Sequence, residues 1–296
     1  MTKASKYSSV FRPDLFAGQA VVVTGAGSGI GRAAAHELIT LGARVALVGR
    51  KLEKLDAVRA EIELIGGVAS CHTCDIREED QVKAAFAQIT QAHGRIDGLL
   101  NNAGGQFPAP LETVSMRGWD SVVRNNLYGG FICSRVALDC WMRENGGAIV
   151  NMLADIWGGM PTMGHSGAAR AGMLNLTETA ACEWAQYGIR VNAVAPGWIA
   201  SSGFDTYDPA MKAQLKRLEK VIPLQRYGTE SEVASTMVFL LSPAANFITG
   251  SCIRIDGGVP NARHTWTPQP MRNPESLASS AFNGFHLASL PKMLTD

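Results

Sequence analysis

Charge is scarce in this sequence, and neither sign dominates. Charged side chains make up 18% of the 296 residues, and the formal net charge is +1. Such a balance offers no electrostatic footprint for nucleic acid or an anionic membrane. No apolar run approaches the roughly 20 residues that cross a bilayer, and the polar residues 1–10 lack the apolar stretch of a secretory leader. A cytoplasmic protein is expected, with neither nucleic acid nor membrane as partner. Cysteine is sparse too. Of six cysteines, only Cys71 and Cys74 form a CxxC pair, and no second pair with zinc-like spacing accompanies it. Cys71 ends a run that reads as a buried strand, so the pair reads as structural and no metal site is expected. Tyrosine is scarcer still, with five in the chain and none between Tyr128 and Tyr187.

What is present is apolar sequence in short, regular pieces. Hydrophobic residues make up 46% of the chain, enough at this length to bury a large core without disulfides or metals. Runs at 20–24, 44–48, 68–73, 98–101, 148–153, 190–194 and 252–255 read as strands. Amphipathic stretches such as 30–41 and 79–93 lie between them and read as helices. Continuous apolar strands separated by helices imply a parallel sheet covered on both faces, with right-handed crossovers. The fold expected is α/β, a single-domain Rossmann-type doubly wound sheet. Residues 19–258 form its dinucleotide-binding and catalytic domain. Residues 1–18 are a polar extension expected to wrap the surface. Residues 259–296 are a tail whose Trp266, Phe282, Phe285 and Leu287 suggest packing on the domain or on a neighbouring subunit.

The glycine string Thr24-Gly25-Ala26-Gly27-Ser28-Gly29-Ile30-Gly31 follows the first strand and opens the first helix. A pyrophosphate needs that arrangement: glycines for a tight turn and close backbone approach, then a helix N-terminus with free N–H groups. The second strand ends Val48-Gly49-Arg50-Lys51, with no acid to hold the ribose hydroxyls. Arg50 and Lys51 suit a 2′-phosphate instead, so NADP(H) is expected in preference to NAD(H).

These and later landmarks resemble the short-chain dehydrogenase/reductase superfamily. The matches are Thr24–Gly31 in full, Asp75-Ile76, Asn101-Asn102-Ala103-Gly104, Asn126, Pro196-Gly197, Ile248-Thr249-Gly250 and Asp256-Gly257-Gly258. The resemblance implies a seven-stranded doubly wound sheet and a homotetramer, or sometimes a dimer. It implies that Gly25, Ser28, Gly29, Ile30 and Gly31 meet the pyrophosphate and that Asp75, with Ile76, holds the adenine. It further implies that Asn102, Ala103 and Gly104 line the cofactor and that Pro196, Gly197, Ile199 and Ser201 lie beside the nicotinamide. Asn126 corresponds to the residue that bends a helix and anchors a water.

The departures from the superfamily are at its chemistry. Its members usually carry a Ser after the fifth strand, then a Tyr acid–base and a Lys four residues later. By that resemblance the three positions hold Ala154, Ser166 and Arg170. The string His165-Ser166-Gly167-Ala168-Ala169-Arg170-Ala171-Gly172 is similar to peroxisomal-type trans-2-enoyl-CoA reductases. So are Gly104-Gly105-Gln106-Phe107, Gly118-Trp119 and Leu241-Ser242-Pro243-Ala244-Ala245. The related 2,4-dienoyl-CoA reductases also lack the Tyr. This implies reduction of a carbon–carbon double bond conjugated to a thioester.

The substitutions suit that chemistry. A ketone reduced to an alkoxide needs a positioned acid almost at once, and a serine is a poor one. An enoyl thioester passes its charge to the thioester oxygen, where hydrogen-bond donors suffice and the proton arrives later at carbon. Arg170 is permanently charged and cannot serve as an acid, but can hold the ribose and supply positive potential. Ser166 is a candidate hydrogen-bond donor to substrate, or a small packing residue. Asp155, just past the fifth strand among apolar neighbours, is the candidate acid, because burial raises a carboxyl pKa; a turn-capping role is its alternative. His165 is a second candidate acid.

A variable lid is expected at residues 198–221, with Gly203, Phe204, Tyr207 and Met211 lining an apolar slot. Three readings remain open at this point. One is an NADPH-dependent reductase of enoyl- or dienoyl-CoA-like thioesters. The second is an alcohol, aldehyde or ketone oxidoreductase, with a terpenoid among its candidate substrates. The third is an NADP-binding protein without turnover.

Overall fold

Seven runs rich in Val, Ile, Leu and Ala pair side by side into one parallel sheet. A computed structural model describes residues 9–201, 204, 209, 212, 215, 218–261 and 270–277. The strands are β1 (Ala20–Thr24), β2 (Arg44–Gly49), β3 (Ala69–Thr73), β4 (Gly98–Asn101), β5 (Gly147–Met152), β6 (Ile189–Pro196) and, after two short strands, β9 (Cys252–Ile255). Their order is β3-β2-β1-β4-β5-β6-β9, and every neighbouring pair is parallel. The expected doubly wound, seven-stranded sheet is what forms. The order reverses between β1 and β4, and a crevice opens at the carboxyl ends of strands at such a switch point. The glycine string and the Asn102–Gly104 loop leave the sheet on its two sides.

Helices cover both faces because the central strands are buried on both sides. Helices α1 (Gly29–Thr40), α2 (Leu52–Leu64) and α8 (Glu230–Leu241) cover one, where Leu38, Leu55, Ile62 and Met237 are buried together. Helix α8 starts on a capping box in which Thr229 and Glu232 exchange hydrogen bonds, worth about 1 kcal/mol. On the other face, α3 (Glu79–His93) and α5 (Gly129–Ala137) bury Phe86, Ile89 and Cys133 against Leu99 and Ile149. Each fully buried Leu, Ile or Phe contributes about 1.5–3 kcal/mol. Helix α7 (Gly164–Glu183) packs on β6 and on α4 (Met116–Val123). A short α6 (Arg143–Asn145) leads into β5.

The structure departs from the sequence-based expectation in several places. Val68 is 56% exposed, so β3 begins one residue late. Strand β6 runs to Pro196 and carries the chain further toward the crevice than 190–194 suggests. Phe16 is fully buried in the core and donates its N–H to the Leu41 carbonyl at 2.9 Å. Leu15 and Phe16 thus anchor the described part of the N-terminal extension, whose residues 11–14, 17 and 18 stay exposed. A two-stranded parallel ladder, β7 (Ile199–Ala200) with β8 (Gly228–Thr229), has no counterpart in the sequence reading. Trp266, Phe282, Phe285 and Leu287 lie outside the described residues. Among those described, no helix is long and apolar enough to cross a membrane.

Candidate active site

The crevice is shaped by the glycine string. Gly25 takes a positive φ of 67° so that its N–H can turn back to the Val48 carbonyl at 2.8 Å. At Gly31 a Cβ would lie 2.5 Å from the Gly25 carbonyl oxygen, so only glycine lets the first helical turn close on the loop. Ser28 caps α1 without a side-chain hydrogen bond, so its hydroxyl and the first N–H groups of the helix are available to an anion. Thr24 ties the two rims together. Its hydroxyl donates to Leu100 O at 3.1 Å and accepts from the N–H groups of Asn102 and Ala103, both at 3.0 Å. The Asn102 amide donates to Thr24 O at 2.9 Å.

The resulting cleft of about 260 Å³ is lined by Gly25, Ser28, Gly49 and Arg50 on one side and by Asp75, Ile76 and Asn102–Gly104 on the other. Gly29, Ile30 and Gly31 form the first turn of α1 beside it. The residues fit a dinucleotide: a loop without side chains, an uncapped helix start, and a cation where β2 ends. Lys51, expected beside Arg50, is the exposed N-cap of α2 and does not line the cleft. Asp75 is held by Arg77, whose Nε and Nη2 reach its two carboxylate oxygens at 2.8 and 2.5 Å. Those hydrogen bonds keep the Asp75 carboxyl below its usual range. Arg77 is not among the residues the sequence reading singles out. Cys74 is buried against the cleft, and burial pushes its thiol up to about 11. It is unreactive at neutral pH.

Beyond Gly104 the loop runs across the start of α7 in register. Arg170 is buried, donates from Nη1 to Met152 O and sets Nη2 against Gly104. Its Nε has no hydrogen-bond partner. Burial pushes the guanidinium pKa down to about 10, which still leaves it charged at neutral pH. A Cβ on Gly104 would meet Arg170 Nη2 at 2.5 Å and Asn126 Oδ1 at 2.7 Å. Asn126 sits in a π-helical turn, Arg124–Tyr128. That turn points its amide at Gly105, which it clamps from both ends: Oδ1 accepts from the Gly105 N–H at 3.0 Å and Nδ2 donates to the Gly105 O at 2.8 Å. Such single-turn π segments recur at functional sites.

Ser166, one turn before Arg170, is completely buried, and its hydroxyl donates to Gln106 Oε1 at 2.6 Å. His165 is also completely buried, with its ring edge on Phe107 at 4.6 Å between centroids and no hydrogen-bond partner for either nitrogen.

Asp155 lies past the end of β5, its N–H donating to Pro196 O at 3.1 Å. One carboxylate oxygen is buried without a partner. Burial holds the Asp155 carboxyl above its ordinary value; nearby Asp256 reinforces this, and the Trp157 N–H and Arg254 oppose it. Asp256 was noted in the sequence only as part of a glycine-rich landmark. Its closeness to Asp155 comes from the parallel pairing of β6 with β9. Gly197 donates its N–H to Ile255 O at 2.9 Å, Ile199 is buried in β7, and Ser201 is half-buried.

A second cavity of about 500 Å³ opens here, lined by Trp198, Ile222, Leu224, Arg226, Arg254 and Asp256 among others. Of the lid residues, Phe204 packs edge-on against Tyr227 at 5.4 Å. Gly203, Tyr207 and Met211 lie outside the described residues. Among the described residues, no three His, Cys, Asp or Glu gather as metal ligands.

Comparison with known proteins gives these features a context. Residues 25–260 match the family described as enoyl-(acyl carrier protein) reductase. The chain is 40% identical over 244 residues to a probable 2,4-dienoyl-CoA reductase, (2E)-enoyl-CoA-producing, of Bacillus subtilis (strain 168), covering 81% of this chain and 96% of that protein. It is 37% identical over 244 residues to the 3-oxoacyl-(acyl-carrier-protein) reductase FabG of Staphylococcus aureus (strain Mu50), covering 81% of this chain and 98% of that one. Among solved structures, the citronellol catabolism dehydrogenase AtuB of Pseudomonas aeruginosa PAO1 superposes with a TM-score of 0.76. It shares 56% identity and covers 86% of this chain and 100% of that one.

Proposed function

Because the chain belongs to the short-chain dehydrogenase/reductase family, and is therefore an oxidoreductase using a nicotinamide cofactor, we propose that it reduces the carbon–carbon double bond of an enoyl or dienoyl thioester with NADPH. One observation carries this reading. The buried helix face that flanks the cofactor cleft carries a charged guanidinium, Arg170, and, where the family keeps its tyrosine, only an enclosed serine hydroxyl, Ser166, whose proton goes to Gln106. No phenol stands between them. That face can stabilise negative charge on oxygen and cannot protonate it. The chemistry of a conjugated thioester asks for that division.

When bound, NADPH supplies the hydride. The chain's own residues do the rest. Gly25, Ser28, Gly29, Ile30 and Gly31 would hold the pyrophosphate on loop and helix N–H groups. Arg50 would pair with the 2′-phosphate. Asp75, fixed by Arg77, and Ile76 would meet the adenine end, and Asn102–Gly104 would wall the opposite side. Arg170 would hold the ribose and lend positive potential to the thioester oxygen as its charge develops. Asp155, whose carboxyl burial holds above its ordinary value, would give its proton to carbon. Pro196, Gly197, Ile199 and Ser201 would close the nicotinamide end. The family resemblance also supports a homotetramer, and light scattering on the purified chain reads its mass directly.

The test is NADPH consumption with crotonyl-, decenoyl- and dienoyl-CoA beside a panel of ketones and aldehydes, with NADH in parallel. Turnover confined to the thioesters and favouring NADPH is expected. Turnover confined to carbonyl compounds would overturn the reading. It would favour a second one, oxidation or reduction of a terpenoid alcohol or aldehyde, which the 56% identity to the citronellol catabolism dehydrogenase supports. Citronellol and citronellal therefore belong in the panel. Tight NADPH binding without any turnover would point to a non-catalytic role.

A further inference from the structure

The Asp75 carboxylate, expected to hold the adenine, is already fully engaged. An ionised carboxylate has about four acceptor positions. Arg77 alone makes four contacts with it. Its backbone N–H and Nε reach Oδ1 at 3.1 and 2.8 Å, and Nε and Nη2 reach Oδ2 at 3.1 and 2.5 Å. A second polar side chain lines the same cleft. Asn125 borders it together with Cys74, Asp75 and Ile76. It is half-buried, and its amide makes no hydrogen bond to a described residue. The amide nitrogen lies 3.4 Å from the place of a Cβ on Gly105. The backbone that carries Asn125 is fastened on both flanks. Arg124 donates to the Arg77 carbonyl at 3.0 Å, and Asn126 clamps Gly105 at its N–H and its carbonyl. Gly129 packs on Ile76 so closely that a Cβ there would meet Ile76 Cδ1 at 2.5 Å. Of the π-turn residues Arg124–Tyr128, Asn125 is the one that lines the cleft.

We propose that Asn125 reads the cofactor's adenine, its amide oxygen accepting from the 6-amino group and its amide N–H donating to the adjoining ring nitrogen, while Arg77 withdraws the Asp75 carboxylate from that task. A carboxamide sets one acceptor beside one donor, the complement of an adenine edge, and so meets the base at two points at once. A base laid against Ile76 and Ala103 would strip water from the Asn125 amide. An amide left unpaired there would cost free energy, and the adenine edge supplies its partners. Asp75 keeps a positioning part: with Arg77 it braces the turn to which Arg124, and through it Asn125, is fastened. The inference needs only the family's nicotinamide cofactor and is independent of the substrate proposed above.

The experiment measures binding to the full-length protein by isothermal titration calorimetry. The ligands are NADP⁺ and its purine analogue, in which hydrogen replaces the 6-amino group, with NAD⁺ and its purine analogue in parallel. The wild type should bind the adenine form about tenfold more tightly, within the range that one two-point amide contact discriminates. Asn125→Leu should bind the two bases alike. Asn125→Asp keeps an oxygen acceptor for the amino group and should keep the preference. Asp75→Ala should keep it as well, whatever its effect on overall affinity, because Arg77 already occupies that carboxylate.

Equal affinity of the wild type for the two bases, or a preference that survives Asn125→Leu, would overturn the proposal. So would a preference that Asp75→Ala abolishes, since the adenine would then belong to the carboxylate. An adenine preference of the same size in the NAD⁺ pair upholds the role of Asn125 even where the NADPH preference or the thioester chemistry proposed above fails.

Discussion

A single carboxyl sets the expected pH dependence. Asp155 has its pKa raised chiefly by burial. As a proton donor it is competent below its folded pKa and loses its proton as pH rises through it. The expectation is that kcat falls on the alkaline side and that Asp155→Asn abolishes this limb while lowering kcat by about 10²- to 10⁴-fold. A pH–rate profile of both proteins decides it: an unchanged limb in the variant removes Asp155 from the role. Arg50 gives a second test at this scale. A charge-assisted hydrogen bond contributes about 1.5–3 kcal/mol, so Arg50→Ala should raise the KM for NADPH roughly 10- to 100-fold and leave that for NADH nearly unchanged. Equal effects on both cofactors would separate Arg50 from the phosphate. Lys51→Ala should matter little, since Lys51, the exposed N-cap of α2, does not line the cleft.

Among the elements, the turn from β1 into α1 tolerates the least change. A Cβ at position 31 would approach the Gly25 carbonyl and the Asn102 amide nitrogen, each at 2.5 Å. Both are pinned: Gly25 by its bond to Val48 O, and Asn102 by its bonds to Thr24. Overpacking of that kind costs about 1–3 kcal/mol. Gly31→Ala should therefore lower Tm by several degrees and weaken cofactor binding together. Thermal melts with and without NADPH will show both; a variant with wild-type Tm and affinity would mean the loop yields more readily than its hydrogen bonds suggest. The π-turn at Arg124–Tyr128 is the complementary case. Residues 116–145 carry no proline, and the π-turn falls where Asn126 reaches Gly105 across space. Nothing in the local sequence announces that contact.

The pH response of the whole fold centres on an edge of the sheet. His72 on β3 and His93 on α3 are both buried, and both lie within 2.7 Å of the Ser70 hydroxyl. Burial depresses both imidazole pKa values below the ordinary 6.5. As pH falls, the unfolded chain takes up these protons before the folded one does. Their contribution to stability is therefore complete above about pH 6.5 and is lost as pH falls through the window below it. Glu37 and Glu230, whose pKa values are raised by burial, act with the opposite sign: their contribution is present below the ordinary carboxylate value and is lost as pH rises through their folded values. Tm should drop between pH 7 and pH 5, and drop less in His93→Gln. Scanning fluorimetry across that range measures it, and an equal drop in the variant would assign the effect elsewhere.

The sequence by itself determined the sheet, the cofactor loop and the loss of the acid–base tyrosine. Each of these is a local pattern: apolar runs at strand length, glycines between a strand and a helix, and a residue type at a fixed step from a motif. Arg170, Asn126 and Asp155 were legible for that reason. Only the tertiary structure decided what surrounds them. It enclosed Ser166 and turned its hydroxyl to Gln106, and set Asp256 near Asp155 through the pairing of β6 with β9. Gln106 and Ser166 are sixty positions apart. Burial and hydrogen bonding act across such separations through packed elements, and a pattern along one chain does not record which side chains the fold brings together.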